Sequence, residues 1–207
     1  MSQFHISGLH IADERDSEFG PAREMSEADF AAVKKEMSEK ASSVLLSSGD
    51  LPPAIYAVTM GESAGEIARI GIAPVAHLIN EPQGKEVIVQ VMEQMLTDPN
   101  HDFVVFAHEA WVLKAKVDAE NKEASIAAAR EAAKKSLEHH PERTEAIFMQ
   151  LRSKSRSAVC VLDFGRDAQG QVAAIQNGEL VFADAPNSTF EGRMAPPAAR
   201  RGGATLH

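Results

Sequence analysis

The sequence predicts an α+β fold: a single domain with a mostly antiparallel sheet, a C-terminal β-meander, and two or three helices packed on or beside it. Three observations carry this. Short apolar runs bounded by turn residues cluster in two blocks, 54–75 and 145–183, without the strand–helix alternation of a parallel sheet. Two segments with apolar residues at helical spacing flank the first block. Between the blocks, Phe103-Val104-Val105-Phe106-Ala107 is continuously apolar, the composition of a central strand covered on both faces.

Taken in order, the elements follow from local chemistry. Ser26 followed by Asp29 is an N-cap with an acidic first turn, and Phe30, Val33, Met37, Ala41, Val44 and Leu45 recur at helical spacing up to Gly49 and Pro52-Pro53, which predicts a helix over 27–47. Segments 54–60 and 68–75 read as short strands, the second weakened by Gly71 and Pro74, joined by a Gly/Ser-rich turn. Val87, Ile88, Val91, Met92 and Met95 share one face of a helix over 83–96, ended by Asp98-Pro99-Asn100. After the apolar strand, 118–140 is rich in Ala, Glu and Lys with few large apolar residues, which predicts a peripheral helix and a candidate contact surface. Strands are then expected over 145–152, 158–164, 172–176 and 180–183, and Asn177-Gly178 is a two-residue hairpin signal between the last two. The expected interior includes Val104, Phe106, Ile147, Met149, Val159 and Val161, with Cys160 shielded. The domain is set at 26–194, between disordered tails at 1–25 and 195–207 that offer little apolar surface to bury.

Composition narrows the function classes. The 207 residues carry 30 acidic against 21 basic side chains, a net charge of -9, which repels polyphosphates and anionic surfaces, so neither nucleic acid nor a membrane is expected as a partner. A lone cysteine, Cys160, inside an apolar run suits a reducing compartment, and no segment has the length of a signal core or a membrane span, so the chain is expected to be soluble and cytoplasmic. The spacings of a Walker loop, a dinucleotide loop and a zinc ribbon are all lacking, so no cofactor is expected.

The sharpest chemical signal is Gly61-Glu62-Ser63-Ala64-Gly65 directly after a strand, the spacing of a serine-hydrolase nucleophile elbow. An elbow needs a helix after the serine, a glycine-rich oxyanion loop before it, and an acid and then a histidine later in the chain. Here a strand is expected next, no such loop precedes Ser63, and His207 alone follows the candidate acids Asp163 and Asp167. A turn is therefore the expected state of this segment, with Ser63 kept as a candidate nucleophile. A second constellation, His108-Glu109-Ala110-Trp111, closes the apolar strand and is a candidate binding site; alternation sends His108 and Glu109 to opposite faces, and Trp111 is expected to cover the core edge where the strand meets solvent. His139-His140, with His77, His101, His108 and Glu109, supplies the residue types for a metal-dependent hydrolase, yet no metal site is assigned, because adjacent histidines at a helix end also suit its dipole. Arg152, Lys154 and Arg156 place three cations on one hairpin loop, a candidate contact for a phosphate or an acidic partner, with a solvated turn as the simpler reading.

The strand closing in Glu109-Ala110-Trp111, followed by Pro141-Glu142-Arg143 leading into strands, resembles a loose set of bacterial and phage-type hypothetical proteins over residues 54–176. The resemblance implies the same fold, with 118–140 as an addition, and carries no activity. The functional expectation is a non-enzymatic cytoplasmic accessory or interaction protein of bacterial or phage type, with an unknown protein partner or self-association. A small hydrolase using Ser63 stands second and a metal-dependent hydrolase around His108 third.

Overall fold

The computed structural model describes residues 24–79, 81–113, 124, 131 and 143–183. Their elements are α1 (Glu27–Ser48), β1 (Ala54–Met60), β2 (Ile67–Pro74), α2 (Gly84–Thr97), β3 (Phe103–Leu113), β4 (Arg143–Ser153), β5 (Ser157–Arg166), β6 (Val172–Ile175) and β7 (Leu180–Ala183). The strands form one antiparallel sheet in the order β2-β1-β3-β4-β5-β6, with β7 also paired to β5. The chain is thus an α+β domain, with α1 on one face of the sheet and α2 on the other.

Side-chain alternation sorts the core into these two layers. Phe103, Val105 and Ala107 of β3 join Ile147, Met149 and Leu151 of β4 under Phe30, Val33, Met37, Ala41 and Leu45 of α1. Val104 and Phe106 turn the other way and meet Ile55, Val75, and Ile88 and Met92 of α2. Each fully buried side chain of this size contributes about 1.5–3 kcal/mol, so the continuous apolar runs of β1 and β3 are the sequence signature of strands covered twice. Met25, just before the boundary placed at residue 26, is also buried in the α1 layer. Residues 1–23 and the whole predicted tail 195–207, with the body of the predicted helix 118–140, lie outside the described residues; 124 and 131 are helical.

The ends of α1 form as expected. Ser26 and Asp29 make a reciprocal capping box, and Gly49 closes the helix at φ 79, a left-handed conformation that favours glycine.

Three expectations are corrected. The Asn177-Gly178 pair does not form a hairpin: β6 and β7 both pair with β5, β6 near its end and β7 near its start, so together they are one edge strand interrupted at 176–179. Gly178 is needed there for a different reason, since a Cβ on it would overlap the Val161 carbonyl and stand 3.2 Å from Cys160 Sγ. Secondly, Val159 and Val161 are only half-buried. They face an open hollow of about 390 Å³ beneath the interrupted strand, lined also by Asp163, Glu179 and Val181, while Cys160 on the opposite face is buried. Thirdly, the central strand does not end at residue 107 but continues to Leu113, paired with β4 along its whole length.

Candidate functional site

Ser63 sits in the turn that joins β1 to β2. The Gly61 N–H donates to the Glu66 carbonyl at 2.7 Å, the Ser63 carbonyl accepts the Glu66 N–H at 3.2 Å, and Gly65 adopts φ 74. The Ser63 side chain is exposed, and strand β2 follows where an elbow requires a helix. The Gly65 N–H donates to Asp29 Oδ1 at 2.8 Å, tying the turn to the first turn of α1. The segment's geometry is that of a docked hairpin.

Because β3 runs on to Leu113, His108 and Glu109 lie inside the sheet instead of at a solvent-reaching strand end, and both are buried. They point to opposite faces, as alternation requires. His108 turns to the α2 side between Phe106 and Phe148, with ring centroids at 4.9 and 5.4 Å, and its Nδ1–H donates to the Glu109 carbonyl at 2.8 Å. Burial, reinforced by the positive charge of Lys85, holds its pKa down at about 4 against that hydrogen bond, so the ring is neutral at pH 7.

Glu109 turns to the α1 side. Its Oε1 accepts the Leu51 N–H at 2.6 Å and its Oε2 lies 3.3 Å from Arg166. The same guanidinium donates from Nε to Glu145 at 2.7 Å, and from an Nη to the Gly49 carbonyl at 3.0 Å and the Gly170 carbonyl at 3.2 Å. One fork therefore joins β3, β4, the end of α1 and the β5–β6 turn, which is the pre-organised multidentate geometry that arginine supplies and lysine does not. Trp111, half-buried further along the same strand face, carries Arg143 over its ring at 4.2 Å. This constellation couples elements of the fold together.

The three loop cations diverge. Arg152 reaches Glu93 of α2 at 3.8 Å, Arg156 turns to Glu27 at 3.7 Å and covers the rings of Phe182 and Phe30, and Lys154 stands at the exposed tip. They offer no common cradle for an anion. Among the described residues, no three of His, Cys, Asp and Glu converge as a metal site. His77 is exposed in the segment before α2, and His101 is held by the Met95 carbonyl at 3.0 Å; His139, His140 and His207 lie outside the described residues.

The feature that sequence reasoning missed is the outer edge of β2, the end strand of the sheet among the described residues. The Val75 N–H bonds to the Pro53 carbonyl at 3.1 Å, and the register runs Ala54↔Pro74, Ile55↔Ala73, Tyr56↔Ile72. Because bonded and non-bonded pairs alternate in an antiparallel ladder, Ala73 and Gly71 bond to β1 while Ile70, Ile72 and Pro74 aim their backbone groups away from it. Ile72 is 61% exposed, far more than a strand isoleucine on a packed face, and Arg69 is the one charged residue of the strand. The opposite edge is blunted by the interruption at 176–179, a common protection of sheet edges; β2 keeps an uninterrupted stretch from Arg69 to Pro74. The signal was present in the alternation of Ile70 and Ile72 with small residues, but edge position is a property of strand order. No protein-family model, curated protein or solved structure matches the chain.

Proposed function

We propose that the protein acts by binding, as a non-enzymatic interaction module of the cytoplasm that adds an extended segment to its sheet along β2. The observation that carries this reading is the outward backbone of Ile70 and Ile72 on a strand whose Ile72 side chain is 61% exposed. Strand addition draws affinity from main-chain hydrogen bonds and selectivity from alternate side chains, and this edge supplies both. A lone buried thiol and a net charge of -9 suit the cytoplasm and disfavour polyanionic partners.

The test uses a synthetic peptide copying residues 67–74, added to dilute protein and followed by amide resonances. The Ile70 and Ile72 amides are expected to shift and gain protection from exchange, with Gly71 and Ala73, bonded to β1, little changed. Absence of any shift at saturating peptide would overturn the reading.

A further inference from the structure

The geometry points to a second copy of this chain as the occupant of the β2 edge, paired antiparallel about a two-fold axis through Gly71 so that two sheets join into one. This rests on the strand-addition reading and names its partner. The two outward residues fix the register. Ile70 of one copy lies opposite Ile72 of the other, each pair exchanging both of its backbone bonds, and Gly71 faces Gly71 in the non-bonded pair between them.

Four features of the strand match its own copy in this register. The apolar row is complete, since the exposed Ile72 gains Ile70 of the other chain as its cross-strand neighbour on the α1 side of the sheet. The strand's one charge, Arg69, falls opposite Ala73 and so never meets its own like charge. The ladder stops at the same place on both strands, because Pro74, which lacks an N–H, falls opposite Ala68, where the β1–β2 register shifts. Two glycines at the axis leave open space at the closest approach of the strands; a Cβ placed on Gly71 would meet nothing nearer than Ala57 at 4.0 Å. Such an interface is isologous and closes at two copies, the commonest symmetry among homo-oligomers.

The full chain and its variants test this by light scattering, amide exchange and cross-linking. The native chain is expected to be dimeric, with the Ile70 and Ile72 amides protected. Ile72→Pro removes an outward N–H without touching a bond to β1 and is expected to give a monomer of unchanged circular dichroism. Gly71→Cys is expected to cross-link the dimer on mild oxidation, since a non-bonded pair sets the Cα atoms about 4.5 Å apart, within disulfide range, and the native Cys160 is buried. If Ile72→Pro fails to fold, the Gly71→Cys cross-link alone decides. A monomeric native chain, a dimer that survives Ile72→Pro, or a Gly71→Cys dimer that does not cross-link each overturns self-pairing. A monomer that still takes the 67–74 peptide leaves strand addition standing, and one that does not removes both.

Discussion

The Asp29 carboxylate accepts the Gly65 N–H through one oxygen at 2.8 Å and the Ser26 N–H through the other at 2.9 Å, so a single buried side chain caps α1 and anchors the β1–β2 turn. The helix end that favours a negative charge is the place where the hairpin docks.

Asp29→Ala removes the acceptor of the Ser26 and Gly65 N–H groups and of the Ser26 hydroxyl and is expected to cost about 2 kcal/mol. Ser63→Ala, two residues from the docked glycine but exposed, is expected to stay within about 0.5 kcal/mol. Urea denaturation of both variants measures the contrast. Equal losses would show that the turn is held by more than the Asp29 contact.

Arg166→Met is expected to destabilise the fold by about 3 kcal/mol, because it takes the guanidinium away from the buried Glu109 carboxylate and from Glu145. Arg166→Lys restores the charge but cannot reach Glu109, Glu145, Gly49 and Gly170 together, and should recover only part of the loss. Thermal denaturation of the pair reads the result. Full recovery by lysine would mean that charge alone, without the fork, does the holding.

His108 sets a pH dependence whose sign follows from its depressed pKa of about 4 in the folded state against an ordinary 6.5. Between those values the unfolded chain takes up a proton that the folded chain refuses, so stability is complete above pH 6.5 and falls as pH drops toward 4. The loss attributable to this ring is on the order of 3 kcal/mol. Subtracting the denaturation profile of His108→Phe from that of the native protein isolates it, and parallel profiles would show that the imidazole is not desolvated.

Gly178→Ala forces a methyl group onto the Val161 carbonyl and is expected to cost about 1–3 kcal/mol as an overpacked site. Native Cys160, buried and with its pKa raised by desolvation, should react with a bulky thiol reagent only on unfolding, and this substitution should speed the reaction by loosening the segment above it. Rapid labelling of the unmodified protein would place the thiol outside the core.

Much of the fold was legible because the apolar runs of β1 and β3 and the amphipathic face of α2 are local signals. The continuation of β3 through His108 and Glu109 was not. Two polar residues mark the end of a strand unless something neutralises them, and for Glu109 that is Arg166, 57 residues away. Asn177-Gly178 misled for a similar reason, since the pair is set by close approach to β5 and not by a turn between neighbours. The alternation of His108 and Glu109 was readable; their burial, and the divergence of Arg152 and Arg156, depended on which helix lies over each face.

The pairing of β3 with β4 has a kinetic corollary. These central strands are fully registered over eleven residue pairs yet are separated in sequence by residues 114–142, whereas β1–β2 and β4–β5 each close over a short turn. Short loops form first and long ones carry a closure entropy that must be met before their contacts reward it. The two flanking hairpins therefore offer the early nuclei, and β3, which lies between β1 and β4, is the seam at which they come together. Because the closure entropy of a flexible loop grows only logarithmically, by about 0.6 kcal/mol for each doubling of its length, the seam depends far more on how well the edges of β3 and β4 meet than on how much chain lies between them.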